Sequence, residues 1–136
     1  AMMKGIEKIK PGNTFGDIGN AIQAFAEKKN YSIVRDFCGH GLGKVFHDYP
    51  SVLHFGKPGE GELLKEGMFF TVEPMINIGD YRVKVLSDGW TAVTSDKSLS
   101  AQFEHTVGVT KTGYEIFTLS KKKFKFPPYT KNDSKI

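Results

Sequence analysis

The sequence predicts an α+β fold in which a mainly antiparallel sheet packs against two helices. Three observations carry that expectation. Two helical segments come first, the second with a clear cap and a 3.6-residue apolar period. From Tyr31 onward the period becomes two, and short strand-like runs follow one another across turn-length connections. Neither an internal repeat nor an inter-domain linker interrupts the 136 residues, a length suited to one core.

Taken in order, Ala1 to Lys10 reads as the later turns of a helix that stops at Pro11-Gly12. No Ser, Thr, Asp or Asn cap precedes it. The expectation is a helix entered partway along, in a sequence that is a piece of something longer. In the second helix Thr14 caps, Asp17 puts a negative charge in the first turn, and Ile18, Ile22 and Phe25 fall at i, i+4 and i+7. Lys28-Lys29-Asn30 closes it, with cations at the C-terminal end. Tyr31, Ile33, Arg35 and Phe37 then alternate with Ser32, Val34, Asp36 and Cys38, a short strand running into a histidine loop. Ser51 to Glu66, rich in Gly, Pro and charge, reads as irregular surface. Gly67 to Ile76 is the most apolar segment, a strand expected to end at Pro74, which cannot donate to a ladder. Gly79-Asp80 reads as a hairpin turn into Tyr81 to Val85. Trp90 to Thr94, Ser100 to Thr110 and Tyr114 to Leu119 are further strands, the last two joined around Lys111-Thr112-Gly113.

A composition of 39% hydrophobic and 25% charged residues is that of a globular domain and excludes wholesale disorder. No apolar run reaches the roughly 20 residues of a membrane span, and no signal-peptide pattern is visible. The single cysteine, Cys38, allows no internal disulfide. The expected setting is the cytoplasm, without membrane contact. The net charge of +4 belongs to the end of the chain, because residues 121–136 carry +5 and residues 1–120 carry −1. Lys121 to Pro128 is therefore read as a solvated tail pinned by Phe124 and Phe126, with contact to RNA or an acidic surface as the alternative.

The chemistry concentrates in three places. Cys38 to Pro50 holds two of the four histidines and crowds Gly39, Gly41 and Gly43 around His40. Glycine admits φ > 0 and removes Cβ bulk, which suits a histidine held against a metal and suits a plain turn equally. Glu73 shares a strand face with Phe69 and Thr71, opposite Phe70 and Val72. A carboxylate there needs a partner or reaches water at the rim of the sheet. Glu104 projects with Gln102 and Thr106 on a polar face, opposite Ala101, Phe103, Val107 and Val109, whose parity His105 shares. A cross-strand pair with a lysine is the plain alternative. Together His40, Glu73 and Glu104 suit a divalent Mn, Fe, Co or Zn ion. Their separations of 33 and 31 residues require the fold to assemble them. Cys38 reads as small filler beside the site. His54 reads as a loop residue and His105 as a strand residue with a satisfied ring, neither with a role.

Gly39-His40-Gly41-Leu42-Gly43 with Phe46-His47-Asp48, Phe70-Thr71-Val72-Glu73-Pro74-Met75, and Ser100-Ala101-Gln102-Phe103-Glu104-His105-Thr106 closely resemble three C-terminal motifs of the methionine aminopeptidases. The resemblance runs in order from about Met3 to Leu119. The short interval from His47 to Glu73 is similar to the type I, bacterial-style enzymes. Xaa-Pro aminopeptidases and prolidases share the fold and metal set, and are the rival reading. The resemblance implies half of a pita-bread fold over residues 1–120, followed by the basic tail 121–136. It also implies two divalent metal ions (Co, Mn, Fe or Zn), with His40 and Glu73 ligating one and Glu104 bridging both. By the same resemblance Glu73 would be the general base, and His47 would bind the substrate carbonyl and steady the gem-diolate. Phe46 and Trp90 would line the methionine pocket. Metal pairs of this kind hold and acidify a water while polarising the scissile carbonyl, and an aromatic slot suits a thioether. For Trp90, core packing is an equal reading of the sequence.

One departure from the family's pattern has consequences. Two further ligands are aspartates of the N-terminal half, and the 39 residues before His40 hold no Asp-x10-Asp strand pair. Asp17 lies in the first turn of a helix and Asp36 on the approach strand, so neither substitutes. The expected function is removal of the N-terminal methionine from nascent proteins. This chain would supply the C-terminal half of the site and be inactive without the missing N-terminal half. Implied partners are N-terminal methionyl peptides, that missing half and the ribosome, with the complete enzyme a monomer. A non-catalytic binding module of the same fold is the alternative of another class, supported only by the basic tail.

Overall fold

The computed structural model describes residues 1–121. The basic tail reading, with its Phe124 and Phe126, lies outside them apart from Lys121. Helix α1 spans Met2–Ile6 and, as expected, no side chain caps its start. It ends well before Pro11, because the Lys8 and Ile9 amides bond the carbonyls three residues back, to Gly5 and Ile6, and tighten the chain out of the α-helical register. Helix α2 spans Phe15–Glu27. The Asp17 amide donates to Thr14 Oγ1 at 3.4 Å, and the Asp17 carboxylate accepts the Thr14 amide at 2.7 Å. This reciprocal capping box satisfies two backbone donors that the helix itself leaves without partners. Ile6, Ile18 and Ile22 from the two helices meet Phe70, Val72 and Val107 in one fully buried core.

Ten short strands follow: β1 (Ser32–Ile33), β2 (Gly39–Gly41), β3 (Asp48–Val52), β4 (Phe69–Val72), β5 (Met75–Asn77), β6 (Val83–Val85), β7 (Ala92–Thr94), β8 (Ser100–Gln102), β9 (His105–Val109) and β10 (Tyr114–Ile116). Antiparallel pairing gives a five-stranded sheet ordered β10-β9-β4-β2-β3, a three-stranded sheet β1-β5-β8 and a β6-β7 ribbon. The α+β architecture is as expected, and so is the β9-β10 hairpin around residues 111–113.

Four local readings change. The apolar run Gly67 to Ile76 is two strands in two sheets, and so is Ser100 to Thr110. β4 pairs with β9 down to Val72 opposite His105, and β5 pairs with β8 from Met75 opposite Gln102. The two strands thus leave one sheet for the other side by side, with Glu73-Pro74 and Phe103-Glu104 in the gap. Next, Gly79-Asp80 does not start a hairpin. The amides of both residues are taken by Ser98 Oγ and the Asp96 carboxylate, and β6 pairs with β7 instead. Third, pairing after α2 is confined to Ser32–Ile33, and the chain bends at Arg35, whose guanidinium lies 4.4 Å from the Tyr81 ring centroid. Finally, His40 lies in a strand, opposite Ser51, and not in a loop.

Candidate metal centre

β2 sits between β3 and β4, so His40 is flanked by backbone on both sides. An added Cβ at Gly39 would overlap the Thr71 carbonyl oxygen, and one at Gly41 would overlap the Tyr49 carbonyl oxygen. Neither glycine has a positive φ. Glycine is needed here for close strand approach, the second of its two uses, and not for a left-handed backbone.

Thr71 joins the first two candidate ligands. Its buried hydroxyl accepts the His40 amide at 2.9 Å and donates to Glu73 Oε1 at 2.6 Å. His40 Nδ1 lies 3.0 Å from the Gly41 carbonyl, which places the ring proton on Nδ1 and leaves Nε2 free to ligate. That nitrogen lies 3.7 Å from Glu73 Oε1, too far for a hydrogen bond. Glu104, exposed in the other half of the gap, brings a third donor: the ligand atoms of His40, Glu73 and Glu104 all lie within 4.8 Å of one another. One imidazole nitrogen and two carboxylates fit a borderline divalent cation. Burial pushes the Glu73 carboxyl above its ordinary range, the Thr71 hydrogen bond opposes this, and the nearby Glu104 charge adds to it. A cation between the carboxylates would relieve both effects.

Beside this trio stand two exposed rings. The His47 ring centroid is 4.4 Å from that of His40, and Phe46 is 5.3 Å from His40 and 4.7 Å from His47. The structure therefore brings together five of the six predicted site residues. Trp90 lies in the β6-β7 connection at 89% exposure, which overturns core packing, and no ring pairing among the described residues joins it to Phe46. Cys38 is half-buried and unbridged.

Residues 1–111 match the sequence profile of Metallopeptidase family M24. The chain belongs to that family. This M24 chain is 68% identical over 131 residues to "Methionine aminopeptidase" of Rickettsia prowazekii, covering 95% of itself and 50% of that relative. It superposes on the crystal structure of methionine aminopeptidase from Rickettsia prowazekii with a TM-score of 0.85 and 67% identity, over 87% of itself and 48% of that chain. The fold is thus half of a pita-bread, and the chain spans about half the length of the curated relatives it matches. A prolidase from Pyrococcus furiosus matches with a TM-score of 0.62 at 24% identity, over 88% of this chain and 30% of that one, and shows the fold alone.

Two residues given no role in the sequence become prominent beside the candidate trio. Gln102 Nε2 donates to the Glu73 carbonyl at 3.0 Å across the strand gap. His54, a bend residue just after β3, is 2% exposed, and its Nε2 accepts the Glu73 amide at 3.0 Å. Only the polar-face parity with Glu104 hinted at Gln102, and no local signal marked His54. His105 has its expected satisfied ring, with Nδ1 2.8 Å from Thr118 Oγ1.

Burial lowers His54 from 6.5 to about 4. The unfolded chain then binds its proton first as pH falls, so stability present above pH 6.5 is lost on the way down to about pH 4. The shift corresponds to about 3 kcal/mol across that window. Urea unfolding of the metal-free protein at pH 7 and pH 4 should show that decline, and His54→Gln should remove the His54 share of it. Equal pH slopes in the two proteins would contradict the buried neutral ring.

Proposed function

We propose that this chain supplies the metal-ligating C-terminal half of a type I methionine aminopeptidase, an enzyme that removes the N-terminal methionine of new polypeptides. The convergence of His40, Glu73 and Glu104 at a corner between two sheets carries the reading. The 68% identity to a methionine aminopeptidase supports the substrate assignment over the Xaa-Pro alternative, since the prolidase match is at 24% identity. His40 and Glu73 would hold one divalent ion and Glu104 would bridge to a second. Such a pair supplies an acidified water and a polarising charge on the scissile carbonyl. Glu73 takes the proton from the attacking water and passes it to the leaving amine. His47, exposed and stacked edge-on against His40, donates to the carbonyl oxygen as negative charge develops there. Phe46 and Trp90 offer apolar surface for the methionine thioether.

The N-terminal half is assigned to an apolar groove of about 900 Å³ lined in part by Met3, Phe25, Pro74, Ile76, Ala101 and Phe103. Pro74 and Phe103 adjoin Glu73 and Glu104 in the chain, so a partner seated there would lie beside both carboxylates. No helix of the described residues is long and apolar enough to cross a membrane. We assign the complete enzyme to the cytoplasm as a monomer, acting where ribosomes release new N-termini.

The test joins this chain to the N-terminal half of the 68%-identical relative, loads the product with Co(II) or Mn(II), and compares Met-Ala-Ser with an Xaa-Pro peptide. Methionine release from Met-Ala-Ser by the joined protein, and none from the chain alone, is expected. Preferential cleavage before proline would favour the dipeptidase, and failure to bind any divalent ion would favour a non-catalytic module.

A further inference from the structure

Glu73 lies where β4 stops and β5 has not begun, so its peptide group has lost its ladder partners. Pro74, the next residue, has no amide to offer. A partly buried backbone donor left without an acceptor costs about as much as a lost hydrogen bond. Two side chains take the place of the ladder, and a third holds the carboxylate. Gln102 donates to the Glu73 carbonyl, Thr71 donates to its carboxylate, and His54 accepts its amide. Gln102 and Thr71 belong to the strands that flank the gap. His54 arrives from the β2-β3 hairpin, the same hairpin that carries His40 opposite Ser51.

We infer that His54 is a positioning residue of the metal centre, its Nε2 bolting the Glu73 backbone to the hairpin that presents His40. The inference rests on Glu73 and His40 being metal ligands, as proposed above. With its amide fixed by His54 and one carboxylate oxygen fixed by Thr71, Glu73 retains little freedom to turn away from His40. The geometry also specifies a tautomer. A ring nitrogen that accepts from an amide carries a lone pair, so the His54 proton sits on Nδ1. His54 is not one of the three grouped donors. Its effect passes through the Glu73 peptide.

Two measurements test this, the first on the 136-residue chain and the second on the chain joined to the N-terminal half as above. The first needs neither metal nor substitution: ¹⁵N-histidine NMR should show His54 protonated on Nδ1, and protonation on Nε2 would overturn the inference. The second compares Co(II) affinity in His54→Phe, which keeps a ring and removes the acceptor, with that in His54→Gln, whose side-chain carbonyl can accept at the same place. His54→Phe should weaken Co(II) binding by about 10- to 100-fold, the range for removing a group that orients a metal ligand. His54→Gln should stay within about threefold of the unsubstituted joined protein. Equal losses in both variants, or none in His54→Phe, would reduce His54 to core filler. Should His54→Phe not fold, the tautomer and the His54→Gln affinity still decide. If the unsubstituted joined protein binds no Co(II), the metal-site reading fails, while the His54 tautomer still judges the bolt.

Discussion

Glu73→Gln in the joined enzyme is expected to lower kcat/KM for Met-Ala-Ser by about 100- to 10,000-fold, the usual worth of a positioned general base. The substitution keeps the shape of the side chain and leaves an oxygen that can still accept from Thr71. It removes the negative charge that a divalent ion needs and the basicity that takes the proton. The fold should not suffer. Burial raises the Glu73 carboxyl, so without metal the unfolded chain gives up this proton more readily than the folded one. Stability from this group is therefore lost as pH rises through the carboxylate range, and the glutamine variant escapes that loss. The expected signature is opposed effects: collapsed turnover and weakened metal binding, with metal-free stability at pH 7 unchanged or increased. A loss of less than about tenfold in kcat/KM would remove Glu73 from the role given to it.

The part of this site that could be read in the sequence is the part that depends on near neighbours. Alternation placed Thr71 and Glu73 on one face, and their side chains bond there at 2.6 Å. The Thr14-Asp17 capping box closes within four residues and could be anticipated from residue types alone. Pro74 announced the end of the first strand, but its resumption in another sheet and the division of Ser100 to Thr110 could not be anticipated, because the period of two is uninterrupted at Phe103-Glu104 and only the choice of pairing partner reveals the change of sheet. That change of sheet is what gives both carboxylates a common opening. The failed hairpin at Gly79-Asp80 has the same origin: Asp96 and Ser98, 16 to 19 residues further along, capture the two amides. His54 was illegible for the strongest reason, since its partner is the backbone of Glu73, and a backbone amide leaves no mark in the sequence. Contacts that span sheets must be read from the fold.

The glycines around His40 give the second large effect. Gly41→Ala puts a methyl group into the Tyr49 carbonyl and within 2.8 Å of the Pro50 nitrogen. Both obstacles are backbone, so no side chain can swing aside, and β3 must move away from β2. The register between these strands already shifts between His40 and Gly41, which concentrates the displacement at His40. Overpacking of this kind costs about 1–3 kcal/mol, and the misplaced His40 should weaken Co(II) binding by about 10- to 100-fold. Gly113→Ala is the control: an added Cβ there meets nothing within 4 Å, and its effect should stay within about 0.5 kcal/mol. Denaturant unfolding and Co(II) titration of the two variants separate the readings. If Gly41→Ala behaves like Gly113→Ala in both, the glycines are turn residues and His40 owes its position to something else. If stability and affinity fall together only at Gly41, strand-to-strand approach is what sets the imidazole against the two carboxylates.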